Sequence, residues 1–226
     1  MAIARGARDR LGFKAIEREE TPMFHLNLRS KIFALAAGAL IGAGAVGSAV
    51  AADYELDPSH AHVVFQVSHL GYATTVGQFE KIDAKVSVDW DAPAEGKLEV
   101  TIDAASVDSN WPARDEHLRK ADFLHVEKYP TIEFVSTDIE VTGENTALIT
   151  GNLTLLGQTR PVTLVTELNK HGPHPMTKRD HFGVSATTMI KRSDYGMTYA
   201  VPMVGDEVEL RIEAEFMGPE NPAEAE

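Results

Sequence analysis

Long segments in which apolar and polar residues alternate strictly restrict the fold of this chain more than any other feature. In residues 60–70, the apolar Val63, Phe65 and Val67 stand at every second position and share one face of a strand. Residues 82–90 repeat this pattern. Alternation with a period of two is typical of an antiparallel strand with one buried face and one solvated face. A turn with glycines is predicted between the two strands, from Gly71 to Gly77. We therefore expect functional residues on the inward face.

The same alternation recurs further along, so the sequence predicts eight antiparallel strands. The six later segments are 97–107, 131–141, 147–156, 159–170, 180–190 and 207–217. One helix is predicted over 112–124, between the third and fourth strands, because Asn110 can cap it and Pro112 suits its first turn. An all-β fold of eight strands, each with one buried face, is either a closed barrel or a sandwich.

The charge balance and the absence of cysteine exclude several classes of function. There are 34 acidic and 21 basic residues, so the net charge is −13, which disfavours nucleic acid and anionic membrane surfaces as partners. Without cysteine the chain has no disulfide, no catalytic thiolate and no cysteine-ligated metal centre. Neither a nucleophile elbow nor a phosphate-binding glycine loop occurs, so no catalytic residue and no enzyme activity are predicted.

Residues 1–52 have the pattern of an N-terminal extension followed by a secretory signal peptide. Basic residues at 28–31 precede an apolar run, 32–50, which is rich in small residues and ends in a cleavage pattern. Cleavage after Ala51 or Ala52 is predicted. A retained membrane anchor is the alternative, because about 18 apolar residues can span a bilayer.

Removal of the signal leaves a domain predicted over 53–217 and an acidic tail, 218–226, which is predicted to be disordered. Translation could start at Met1 or at Met23. The sequence thus predicts a periplasmic protein with no stable membrane insertion after signal removal. The sequence leaves open whether the protein forms a homodimer.

Short strings in a fixed order carry a family resemblance across 54–217. They include Tyr54-Glu55-Leu56-Asp57-Pro58-Ser59-His60, Arg114-Asp115-Glu116-His117-Leu118, Tyr129-Pro130-Thr131-Ile132-Glu133-Phe134 and Arg192-Ser193-Asp194-Tyr195-Gly196-Met197. Together they resemble the YceI-like family of bacterial periplasmic lipid-binding proteins. The resemblance implies a lipocalin-like antiparallel β-barrel with a helix near one end. It also implies non-covalent binding of a long apolar molecule, a polyisoprenoid or a fatty amide or acid, in an elongated tunnel.

Two positions depart from the family pattern. Ala61 stands where a second serine is usual, and Trp111 lies in a segment where smaller polar residues are expected. Because Trp111 could narrow or cap the tunnel, the family's preference for ligand chain length is not carried over.

The predicted ligand-binding residues are apolar and lie on the inward faces of the strands. They are Phe65, Val67, Phe79, Val86, Val88, Val100, Ile102, Phe134, Ile149, Leu153, Leu164, Phe182, Val184 and Leu210. Six further residues are candidates for the tunnel mouth or for headgroup contacts, since a guanidinium fork suits an anionic group. These six are Trp111, Arg114, Asp115, Arg192, Asp194 and Tyr195. Support of the local helix and turn is the alternative role for them.

Three other functions remain as alternatives at this point. One is a periplasmic metal-binding protein, since His60 and His62 share a strand face and His171 and His174 lie near prolines. Three or four convergent ligands are needed for such a site, so no metal residue is assigned. The second is an enzyme acting on an isoprenoid or quinone precursor, which would need an acid–base pair on the inward face. The third is a non-catalytic interaction module with a solid core, because apolar inward faces suit a packed core as well as a ligand-binding cavity. No cofactor is predicted beyond the apolar ligand.

Overall fold

A computed structural model describes residues 51–219 as a strand-rich domain. Within these residues the strands are β1 (Ala52–His69), β2 (Ala73–Phe79), β3 (Ile82–Val88), β4 (Lys97–Asp103), β5 (Val107–Asp108), β6 (Thr131–Val141), β7 (Thr146–Leu155), β8 (Gln158–Pro173), β9 (Asp180–Lys191) and β10 (Val204–Met217). The helix α1 covers Pro112–Leu118. None of the helices in this part of the chain has the length and apolar character needed to cross a membrane. The predicted signal peptide and most of the acidic tail lie outside the described residues.

Eight of the strands close into an antiparallel barrel in the order β1, β10, β9, β8, β7, β6, β4, β3 and back to β1. Closure depends on β1, which pairs with β10 over most of its length and with β3 through residues 52–55. Its later part, residues 63–69, pairs instead with β2, which carries β5 on its other edge. A closed ring leaves no free strand edges, and alternate side chains point inward. The predicted all-β, eight-stranded barrel with one helix is confirmed.

The position of the helix in the strand order was predicted wrongly. It follows the fifth strand and does not lie between the third and fourth. The predicted turn from Gly71 to Gly77 is a strand over most of its length, because Leu70 and Gly71 adopt left-handed conformations and reverse the chain at once. The β-branched Thr74, Thr75 and Val76 then pair with β1 and extend the sheet.

The helix is also shorter than the predicted span, 112–124. Asn110 has a positive φ and does not cap α1, and the residue at the N-cap position is Trp111. After Leu118 the chain turns so that Phe123 and Leu124 become buried. Burial of two large apolar side chains, at about 1.5–3 kcal/mol each, outweighs the continuation of a short helix.

Two clusters of buried side chains close the barrel at different heights. We call the end with the β4–β6 connection and α1 the helix end, and the opposite end the open end. The cluster at the helix end contains Val63, Phe79, Ile102, Ala104, Val107, Leu124, Ile132, Phe134, Leu153, Leu155 and Tyr195. The smaller cluster lies toward the open end and contains Tyr54, Leu56, Ala84, Val88, Phe182 and Phe216. The space between and beside these two clusters forms a cavity.

Tyr54 anchors the smaller cluster through a buried hydroxyl group. The hydroxyl donates to Oδ2 of Asp180 at 2.5 Å and accepts from Nε1 of Trp90 at 2.7 Å. Burial, followed by the hydrogen bond to Asp180, raises the pKa of Tyr54 to about 12. Burial also acts to raise the pKa of Asp180, but hydrogen bonds from Tyr54 and His171 outweigh it and hold that pKa below its usual value.

Replacing Tyr54 with phenylalanine should lower the free energy of unfolding by about 1–2 kcal/mol at neutral pH, because a hydrogen bond to a carboxylate is lost. A folded-state pKa of Asp180 below its unfolded value gives stability that is present above about pH 4 and is lost as the pH falls through the folded pKa. Urea unfolding at about pH 7 and about pH 3 should therefore show a smaller difference between the two proteins at the acidic value. Tyr72→Phe, at a fully exposed ring, is the control. Equal differences at both pH values would contradict the role of Asp180.

Candidate ligand-binding cavity

The barrel encloses a cavity of about 350 Å³ between its walls. Side chains of β1, β3, β4, β6, β7, β8, β9 and β10 line it, and most of them are aliphatic or aromatic. Each contributing strand alternates, so one face supplies apolar side chains to the interior while the other is solvated. Its volume falls within the range of small-molecule sites, about 300–1,000 Å³.

The side chains in the middle of the wall are inward-facing but only half-buried. Val100 on β4, Ile149 on β7 and Leu164 on β8 line the cavity and retain solvent-accessible surface. By contrast, Ile102 and Phe134, which are closer to the helix end, are buried. The mid-wall side chains are accessible because they face space instead of the opposite wall. The interior therefore has the apolar lining of a protein core but contains space that no side chain fills.

The cavity reaches the surface at the open end. The connection between β3 and β4 contributes Pro93, Gly96 and Lys97, and the turn between β6 and β7 contributes Glu144 and Asn145. Lys97, Glu144 and Asn145 are exposed. Apolar groups at depth and polar groups at the rim favour a ligand whose tail enters first and whose polar end stays in water.

Eleven of the fourteen predicted ligand-binding residues lie on the cavity wall. They are Val86, Val88, Val100, Ile102, Phe134, Ile149, Leu153, Leu164, Phe182, Val184 and Leu210. The alternation in the sequence located them because the register of a closed sheet fixes which side chains face inward. Whether they contact a ligand stays a prediction.

The other three, Phe65, Val67 and Phe79, do not line the cavity. Phe79 is buried in the helix-end cluster, and the ring of Phe65 packs against it with centroids 5.9 Å apart. A Cβ atom at Gly77 would lie 2.2 Å from Cζ of Phe65, so the glycine makes room for that ring. Phe65 and Phe79 therefore belong to the packed cluster at the helix end, and Val67 pairs with Thr75 of β2.

Arg192, Asp194 and Tyr195 lie at the helix end, away from the mouth. Arg192 is buried, and its guanidinium donates to the carbonyl oxygens of Gly205, Met197 and Val204 at 2.8–2.9 Å. Tyr195 is buried in the helix-end cluster. None of the three lines the cavity, because the tunnel opens at the end opposite to the one the sequence suggested.

Trp111, Arg114 and Asp115 also lie outside the cavity lining. The buried carboxylate of Asp115 accepts hydrogen bonds from the backbone and the hydroxyl of Ser109, and Nε of Arg114 donates to the same hydroxyl at 2.7 Å. Trp111 is 63% exposed and does not cap the opening. These contacts fix the loop before α1, and whether any of the six candidates contacts a headgroup stays a prediction.

Some wall residues were not singled out from the sequence. Trp90, Leu98 and Leu168 continue the inward faces of β3, β4 and β8, where alternation also places them, but they were not among the predicted ligand-binding residues. The rim residues Glu144 and Asn145 had no comparable signal, since a polar turn is ordinary between two strands.

Comparison with known proteins identifies the domain. Residues 54–216 match the family model described as the YceI-like domain. The chain belongs to the YceI-like family. A UPF0312 protein of Ectopseudomonas mendocina is 42% identical over 191 residues, which cover 83% of this chain and 97% of that protein.

Two solved structures are similar to this YceI-like domain. BcnA of Burkholderia cenocepacia has a TM-score of 0.65 at 26% identity and covers 71% of this chain and 98% of its own. A domain from Saccharophagus degradans, described as polyisoprenoid-binding and implicated in plant cell wall breakdown, has a TM-score of 0.58. Its identity is 14%, with 74% of this chain and 98% of that chain covered, so this similarity shows the fold alone.

Proposed function

We propose that this YceI-like protein binds one long apolar molecule, a polyisoprenoid or a fatty amide or acid, inside the barrel and carries or sequesters it in the periplasm. The observation that carries the proposal is the accessible apolar wall formed by residues such as Val100, Ile149 and Leu164. A packed core would bury these side chains against one another. An apolar wall in contact with water is instead stabilised when a hydrocarbon covers it.

Burial of the ligand tail supplies the affinity. Each buried methylene contributes about 0.8 kcal/mol, so several of them exceed the cost of immobilising the ligand. Specificity then depends on the length and width of the cavity. The rim residues Lys97, Glu144 and Asn145 offer hydrogen bonds to a polar end. We infer that the headgroup lies at this open end.

The name of the Saccharophagus domain supports a polyisoprenoid as one ligand class. The proposal includes secretion through a cleaved signal and no catalytic step. The ionisable residues His62 and Glu213 border the cavity from positions that alternate outward on β1 and β10. They therefore do not form an acid–base pair on the inward faces of the described strands.

Native mass spectrometry of the protein isolated from its own cell envelope tests the proposal. We expect a complex with one apolar compound in near-equal amount, which organic extraction releases for identification. Leu164→Trp, purified in the same way, is expected to show mainly the apo mass because the indole occupies the cavity. A wild-type protein that is folded but carries only the apo mass would contradict the proposal.

A further inference from the structure

A bulge in β1 brings three potential metal ligands together on the outside of the barrel. Leu56 pairs with Phe216 and Ala61 pairs with Ala214, so four residues of β1, 57–60, lie opposite the single residue Glu215 of β10. The extra residues project from the sheet because the pairing cannot accommodate them. Asp57 and His60 thereby reach Glu215.

The donor atoms of these side chains converge. The candidate ligand atoms of Asp57, His60 and Glu215 all lie within 4.8 Å of one another. Nδ1 of His60 is 2.9 Å from Oδ2 of Asp57 and 4.0 Å from Oε2 of Glu215. Donors bound to one tetrahedral ion at about 2.1 Å are about 3.4 Å apart, so small side-chain rotations suffice for coordination.

Neighbouring groups already orient two of the ligands. Ser59 donates to Oδ1 of Asp57 from its backbone nitrogen at 2.9 Å and from its hydroxyl at 2.6 Å, which leaves Oδ2 toward His60. Nε2 of His181 lies 2.8 Å from Oε2 of Glu215. Nδ1 of His181 is buried without a partner among the described residues. Glu215 is therefore the only hydrogen-bond partner of this ring in that part of the chain. Metal-binding carboxylates are commonly held by such outer hydrogen bonds.

We propose that Asp57, His60 and Glu215 bind a divalent transition-metal ion of the Zn²⁺ class, with water completing the coordination. One imidazole and two carboxylates suit Zn²⁺, whereas Ca²⁺ and Mg²⁺ prefer oxygen ligands alone. His181 is a positioning residue that holds Glu215.

The site is open to solvent and distinct from the apolar cavity. The side chain of His60 is 60% exposed, and a cleft of about 430 Å³ runs past His60, His174, His181 and Glu215. An ion can therefore enter whether or not the barrel is filled. The proposal does not depend on the proposed lipid-binding function.

Calorimetric titration of untagged protein with zinc chloride tests this site. We expect saturation at one Zn²⁺ per chain and at least tenfold weaker binding in His60→Ala and in Glu215→Gln. His181→Ala should weaken binding by about tenfold through the loss of positioning. Neither Ca²⁺ nor Mg²⁺ should compete at equal concentration.

His117→Ala is the matched control, because His117 pairs with Asp122 at 3.4 Å and no third ligand of the described chain joins them. Zinc binding by this variant should equal that of the wild type. Circular dichroism and the thermal midpoint without metal establish that each variant is folded, and zinc should raise the midpoint of the wild type but not of His60→Ala. Uptake that is unchanged in His60→Ala and Glu215→Gln, or that spreads over several weak sites, would overturn the proposal.

Discussion

Arg192→Ala is expected to reduce the free energy of unfolding by about 3–5 kcal/mol, the largest effect of any single substitution considered for this barrel. The side chain is 3% exposed, and its guanidinium donates to the backbone carbonyl of Met197, in the connection between β9 and β10, and to those of Val204 and Gly205 at the start of β10. Removal takes the donors away from three half-buried carbonyl groups and deletes a buried side chain. Urea-induced unfolding followed by circular dichroism measures the change.

Arg160→Ala is the control for this prediction. Arg160 is exposed and its Nε donates only to the carbonyl of Asp194 at 3.3 Å, so the change should stay within about 0.5 kcal/mol. Arg192→Lys keeps the positive charge but cannot reach all three carbonyls, and it should retain ligand binding while losing stability. If an Arg192 variant kept its stability and lost its ligand, the arginine would be a headgroup ligand and the structural role would be wrong.

Leu164→Trp should weaken the binding of a long-chain ligand by about fiftyfold. The indole would project from β8 into the cavity and displace about three methylene groups of the ligand, which together are worth about 2.4 kcal/mol. Equilibrium titration with a fluorescent fatty-acid analogue measures the loss.

Val165→Trp places the same side chain on the outer face of the same strand. Val165 is 59% exposed, so this variant should bind as the wild type does. Equal affinity of the two tryptophan variants would show that the ligand is held outside the barrel.

Most wall residues could be predicted from the sequence because inward-facing side chains occur at every second position of a strand. Val100, Ile149 and Leu164 could be placed on the inward face since a shift of one residue would expose the whole apolar set. Ala73–Phe79 was missed as a strand because Gly71 and Gly77 suggested a turn, whereas only Leu70 and Gly71 reverse the chain.

The location of the mouth could not be read from local pattern. Which end is covered depends on how the connection 104–130 folds back, and this brings Val107 and Leu124 into the helix-end cluster. The polar residues Arg192 and Asp115 looked suited to a headgroup, but each is used to satisfy nearby backbone or hydroxyl groups. The bulge at 57–60 depends on the partner strand β10, so its convergence with Glu215 was also hidden.

The affinity of the protein for alkanoates of increasing length, from hexanoate to hexadecanoate, tests whether the apolar ligand lies inside the barrel. Trp90 borders the cavity and Trp111 is exposed, so Trp111→Phe leaves Trp90 as the single fluorescent reporter. We expect Trp90 emission to change on binding, and we expect the affinity to rise about fourfold per methylene until the cavity is full and then to level off. An affinity that does not depend on chain length, or an unchanged Trp90 signal at saturation, would contradict it.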